Sequence, residues 1–212
     1  MTLDMVLALV LFLFPLAYSP GPGNLFFAAN GARFGFRATL PATTGYHTAT
    51  AAVTLLIGSG ALAAQAVAQE AFIWLKMAGA GYVLWIAWGM WRAGGLQAEL
   101  QARPARFRDG VLLLLLNPKA YVIIAVMFSQ FLVPADPARI ADDAAAHLSS
   151  GQLGLVTIIT LIFTLNNLVA FSIWTWIGEG LARQIFRDDR ARQMNRGFAL
   201  LLVVVGLWML LI

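Results

Sequence analysis

Lys119 poses the sharpest chemical question in this chain. It follows Asn117 and Pro118 inside an otherwise apolar stretch from Val111 to Val133. A second helix-breaking cluster, Ser19-Pro20-Gly21-Pro22-Gly23-Asn24, interrupts the apolar run near the start of the chain. Proline has no N–H and disfavours helix in the residue before it, so Pro20 and Pro22 break the hydrogen-bond ladder. Gly21 and Gly23 admit backbone conformations that residues with a Cβ avoid. A helix restarting near Gly23 and Asn24 would aim partly positive amides at a carboxylate. Carbonyls freed around Ala17 and Tyr18 would suit an ammonium group. A zwitterion presents both charges, so an amino acid is the ligand that this geometry predicts. Lys119 itself has three readings: a counter-charge for the carboxylate, a proton carrier, or a tie donating to the carbonyls of the first broken segment.

Two polar stripes accompany the breaks. Thr43, His47, Thr50 and Thr54 follow i, i+4, i+7, i+11 and share one helix face; Thr157, Thr160, Thr164 and Asn167 do the same in the other half. As a cavity lining they would place Thr43, His47, Thr164 and Asn167 against the ligand. The competing reading has each threonine bonding its own helix or a neighbouring one. His47 is a candidate proton relay beside Lys119, with a packing histidine as the alternative.

The elements that position these residues are membrane spans. The chain is 60% hydrophobic and 11% charged, against roughly 45–50% and about 25% in soluble domains. Six apolar segments emerge at about 3–32, 40–64, 71–91, 110–132, 152–178 and 195–212, most of them near the ~20 residues needed to cross a bilayer. The first is too long for a simple crossing, as a break or strong tilt would require. Its start resembles a signal peptide, with Ala17-Tyr18-Ser19 as a small-x-small site, but Asp4 is the only charge before it and Pro20 would follow the cut. It is expected to be a retained span.

Charge sets the orientation. Arg33 and Arg37 lie in loop 1–2; Arg92, Arg103, Arg106 and Arg108 in loop 3–4; Arg183, Arg187, Arg190, Arg192 and Arg196 in loop 5–6. These eleven of the 14 basic residues fall on one side if six spans alternate. Asp4, Glu70, Asp136, Asp142, Asp143 and only Arg139 fall on the other. The positive-inside rule puts the Arg-rich loops in the cytoplasm and both termini in the periplasm. Three spans per half is an odd number, so halves at about 1–95 and 105–212 would be inverted repeats, with spans 1 and 4 broken at mid-membrane. Helical rise puts Lys119 roughly 15 Å and Pro22 roughly 16 Å from the cytoplasmic face, but Lys76 only about 8 Å deep, where it can snorkel. His147 lies in the acidic outer loop. The seven tryptophans (Trp74, Trp85, Trp88, Trp91, Trp174, Trp176 and Trp208) read mostly as interfacial or lipid-facing, and Gly31-x-x-x-Gly35 as a close helix contact.

Other chemistries fit less well. The chain has no cysteine, hence no thiolate metal site, and the spans hold one histidine and no interior carboxylate, a poor cation site. No metal or cofactor is expected. No glycine-rich phosphate loop ends in Gly-Lys-Ser/Thr. A membrane-embedded enzyme would need an activated nucleophile or an acid–base pair, and a scaffold has no need of midplane charge. The net charge of +4 is explained by loop placement and predicts no nucleic-acid partner.

In order and spacing, several segments resemble the LysE/RhtB family of bacterial amino-acid exporters over nearly the whole chain. They are Ser19-Pro20-Gly21-Pro22 followed by Asn24, Arg33-Phe34-Gly35-Phe36-Arg37, Lys76 through Trp85, Asn117-Pro118-Lys119-Ala120, and Asn195-Arg196-Gly197. Two departures stand out: Gly23 intervenes between Pro-Gly-Pro and Asn24, and Gly81 replaces a common alanine. The resemblance implies a six-span inner-membrane protein that exports amino acids or derivatives, driven by the proton-motive force. Protons and membrane lipid are then partners, and a homo-oligomer is compatible with the reading. Export of another small solute or cation is the alternative.

Overall fold

The computed structural model describes residues 1–59, 65–92, 103–132, 150–183 and 188–211. Eight helices account for them: α1 Leu3–Tyr18, α2 Pro22–Phe34, α3 Phe36–Gly58, α4 Gln65–Arg92, α5 Phe107–Leu115, α6 Pro118–Phe131, α7 Ser150–Arg183 and α8 Asp188–Leu211. Asp136, Arg139, Asp142, Asp143, His147 and Arg187 lie outside the described residues, as do the side chains of Lys76 and Trp208.

The chain breaks at both proline clusters. Ser19 is extended (ψ 144°) ahead of Pro20 and Gly21 is extended ahead of Pro22, as the residue before proline must be. Pro22 and Pro118 each open a new helix at its first turn, where a missing N–H costs nothing. The bend is 63° between α1 and α2 and 63° between α5 and α6. α2 ends differently, at Gly35 with φ +82°, a conformation that glycine adopts without strain. The chain then turns directly into α3, whose first N–H groups meet a carboxylate: Phe36 N–H donates to Glu179 Oε2 at 3.0 Å. α5 is capped by Asp109, which accepts the Arg106 N–H at 2.8 Å.

By length and composition, α7 alone is long and apolar enough to cross a membrane among the described residues; each bent pair qualifies when taken as one span. α3 falls short because Thr43, His47, Thr50 and their neighbours dilute its hydropathy. Packing is closest for α2 on α7, α4 on α8 and α3 on α5. Small residues permit it. A Cβ on Gly31 would run into the Thr175 carbonyl and one on Gly178 into that of Ala28; between α3 and α5, Gly45 meets the Phe107 carbonyl and Gly110 that of Ala42. Such glycine crossings let backbones touch where lipid gives no hydrophobic drive. Gly31 thus makes the expected close contact, whereas Gly35 serves the turn.

The buried apolar groups form one cluster around Phe27, Tyr46, Leu113, Leu114 and Phe171, and another around Leu9, Leu13, Ile124, Met127, Ile159 and Phe163. Leu7, Leu11 and Phe14 on α1 and Leu161, Leu165 and Val169 on α7 are exposed, an apolar exterior that suits lipid rather than water.

Candidate functional site

The end of α1 gathers hydrogen bonds from three helices. A helix leaves its last four carbonyls without partners in the ladder, and here side chains take them. The Ser19 hydroxyl donates to the Leu16 carbonyl at 3.2 Å, and Asn24 Nδ2 to Ala17 at 2.9 Å. Trp174 Nε1, from α7, donates to Tyr18 at 3.2 Å. Lys119 Nζ, from α6, donates to the Ser19 carbonyl and to Ser19 Oγ, both at 3.0 Å. The expectation that carbonyls around Ala17 and Tyr18 await a ligand's ammonium is therefore corrected: Asn24 and Trp174 occupy them. The reason is energetic. A buried carbonyl left without a donor costs about 1–3 kcal/mol, and the protein supplies its own.

Lys119 joins one break to the other. Gly21 makes room for it: a Cβ there would lie 3.1 Å from both Lys119 Cδ and Nζ. Gly21, Pro22, Gly23 and Asn24 are buried, whereas Pro20 is exposed on the outside of the bend. A Cβ on Gly23 would approach Phe171 Cζ to 2.8 Å, so the start of α2 packs under that ring. At the second break, Pro118 and Asn117 are buried, and Asn117 Nδ2 donates to Tyr46 Oη at 3.0 Å while its Oδ1 has no partner in the protein. Two helix N-termini, of α2 and α6, thus meet around one ammonium group. Their first-turn amides and that charge make the crossing electropositive.

The stripes divide in two. Thr43, His47, Thr50 and Thr54 are all buried on α3, and Thr160 and Asn167 on α7, with Thr164 partly so. Thr43 and Thr50 donate to the carbonyls of Thr39 and Tyr46 on their own helix. The hydroxyls of Thr54, Thr160 and Thr164 are buried with no partner among the described residues, as is Asn166 Nδ2. Thr157 corrects the pattern: it is exposed and bonds the Leu153 carbonyl. At about 100° per residue it stands at the edge of the stripe, turned away from α3. His47 Nδ1 lies 2.7 Å from the Thr43 carbonyl. A carbonyl only accepts, so Nδ1 carries a hydrogen, and Nε2 on the other side of the ring is buried.

Four residues outside the expected ligand-binding set are part of this arrangement: Ser19, Tyr46, Phe171 and Trp174. Tyr46, Phe27 and Phe171 stack at centroid distances of 4.7–5.7 Å and wall the site. Trp174 had been grouped with the lipid-facing tryptophans; Trp74, Trp85, Trp88, Trp91 and Trp176 are indeed exposed. The available signal was phase, since Asn167, Phe171 and Trp174 follow i, i+4, i+7.

Residues 14–211 match the LysE type translocator family. The chain is 28% identical over 196 residues to the homoserine/homoserine lactone efflux protein of Salmonella typhimurium, covering 90% of this chain and 88% of that protein. It is 30% identical over 195 residues to an uncharacterized membrane protein of Vibrio cholerae, covering 89% and 88%. It is 27% identical over 187 residues to the cysteine/O-acetylserine efflux protein of Escherichia coli K12, covering 88% of each. No solved structure matches the chain. With almost its whole length matched, the chain belongs to the LysE type translocator family of multi-pass membrane proteins.

Proposed function

We propose that the protein is a secondary transporter, not an enzyme, that exports amino acids or close derivatives from the cytoplasm with the proton gradient as driving force. In this reading α1/α2, α3 and α4 form one three-span repeat and α5/α6, α7 and α8 its inverted counterpart. The Arg-rich connections face the cytoplasm and both termini the periplasm. The observation that carries the reading is the bridge from Lys119 Nζ to Ser19, which brings two spans bent by the same 63° together at their breaks. A protein that only anchors has no use for paired interruptions and a charge between them, since both are costly in lipid. The names of the efflux relatives support the same class of substrate.

The carboxylate of the substrate is assigned to the first-turn amides of Gly23 and Asn24 together with Lys119. Its ammonium is assigned to acceptors that the protein leaves open, Asn117 Oδ1 and the hydroxyls of Thr160 and Thr164, rather than to the end of α1. Asn167 and Thr43 complete the lining. For proton coupling, Lys119 and His47 are the two candidates; the buried His47 ring packs against Phe171 of α7. Substrate arrival competing for the Lys119 ammonium would loosen its hold on Ser19, and alternating access follows from that exchange.

Counterflow in proteoliposomes tests the proposal. Vesicles loaded with homoserine, cysteine, O-acetylserine and a wider amino-acid panel are expected to exchange at least one labelled compound faster than protein-free vesicles, with a further rise under a pH gradient. No exchange of any amino acid or derivative would overturn it. Exchange indifferent to the pH gradient would remove only the coupling.

A further inference from the structure

Away from the breaks, α2, α4 and the segment before α5 enclose a groove of about 470 Å³ at the Arg-rich end of the molecule, a volume within the ~300–1,000 Å³ of ordinary ligand sites. We propose that it holds the phosphate headgroup of an anionic phospholipid. The proposal needs only the membrane location and is independent of which substrate is carried.

Charge selects an anion. Asp109 is the one carboxylate among the lining residues, and three arginines already surround it. It accepts the Arg106 N–H at 2.8 Å and pairs with Arg103 at 3.7 Å and Arg108 at 3.8 Å. An amino acid's ammonium would find no free acid here. Cations outnumber it: Arg33 and Arg103 line the groove, and Arg92 lays its guanidinium 4.4 Å over the ring of Trp88, another lining residue. Stacking holds that planar group in place before a ligand arrives, and guanidinium matches phosphate bidentately.

The tryptophans of α4 select a lipid rather than a soluble anion. Trp85 and Trp88 line the groove and are 67% and 56% exposed. Indole rings at the level of the headgroups sit with one edge in hydrocarbon, where they would flank the glycerol and first methylenes of an acyl chain. Basic pockets between spans recur as headgroup sites. The far wall is fixed: Ala105 N–H donates to Asn30 Oδ1 at 3.3 Å, and Asn30 Nδ2 to Thr39 Oγ1 at 3.0 Å.

Native mass spectrometry of the detergent-purified full chain, with phosphatidylglycerol, phosphatidylethanolamine or phosphatidylcholine added, provides the test. Wild type is expected to retain phosphatidylglycerol in preference to both zwitterionic lipids. Arg92→Gln and Arg103→Gln should each weaken that retention about tenfold, the loss expected for one charge-assisted hydrogen bond, and Arg37→Gln, outside the groove, should not. Arg92→Gln leaves the Asp109 network untouched, so it remains informative if Arg103→Gln disturbs folding. Equal retention of the three lipids, or retention unchanged by Arg92→Gln, would overturn the proposal. Displacement of phosphatidylglycerol by millimolar inorganic phosphate would overturn it in favour of a soluble-anion site, and displacement by homoserine in favour of a substrate site.

Discussion

The two breaks share a bend of 63° but are held by different means. At the first, Ser19 N–H returns to the Pro15 carbonyl at 3.2 Å and Leu25 N–H to Gly21 at 3.0 Å, and side-chain donors are added, two of them from other helices: Asn24 beside it, Trp174 on α7 and Lys119 on α6. At the second, the backbone serves itself. Leu116 N–H returns to the Leu112 carbonyl at 3.0 Å, Asn117 N–H to Leu114 at 2.9 Å and Ala120 N–H to the Asn117 carbonyl at 3.0 Å. Asn117 to Tyr46 and Lys119 to Ser19 are the bonds that reach far from it. The difference follows from composition. Pro20 and Pro22 remove two N–H groups within three residues, so fewer backbone donors remain there; Asn117-Pro118 removes one, and a tight turn suffices. The second break leans more on its own backbone, and the first more on side chains from other helices.

That contrast orders what substitution should do. Lys119→Met removes the single charged link between the breaks. Its lost hydrogen bonds are worth about 1.5–3 kcal/mol, but the methionine also escapes the ~2.5–3.5 kcal/mol cost of a charge in the bilayer centre. Thermal stability in detergent should therefore change by no more than about 2 kcal/mol, the largest difference between those two terms, while counterflow falls at least tenfold. Full activity would show that the breaks work unlinked. Trp174→Phe strands the Tyr18 carbonyl and should cost about 1–2 kcal/mol in a thermal-denaturation assay; a change near zero would mean that the first break does not rely on α7. The smallest effect belongs to the second break. A double-mutant cycle of Asn117→Ala and Tyr46→Phe should return a coupling of about 1 kcal/mol, and a coupling above that of the first break's bonds would reverse the ranking.

Much of this was legible from residue types alone. Proline chemistry placed both interruptions, apolar runs placed the helices, and a lysine in an apolar run marked the crossing. What stayed hidden was pairing over long separations. Lys119 lies 100 residues from Ser19, and Trp174 lies 156 from Tyr18. Periodicity tells which face a residue occupies but not which donor reaches which carbonyl, so orphan carbonyls at Ala17 and Tyr18 looked open to a ligand. Thr157 fails for a related reason, since a stripe's edge residue turns inward or outward according to neighbours that the sequence does not name. The lipid groove was invisible too, because Arg103 and Arg33 are assembled only when the segment before α5 docks on α2.

Thiol labelling tests the central claim most directly, since the chain has no native cysteine. Only a hydrated thiol ionises and reacts quickly. A single Thr164→Cys, on the face of α7 turned toward α3, should react with a small hydrophilic methanethiosulfonate and be protected by a transported amino acid. Leu161→Cys, on the exposed apolar face, should stay unreactive in vesicles. Thr164→Cys as inert as Leu161→Cys, or reacting at a rate no transported amino acid alters, would contradict a substrate path between the two breaks.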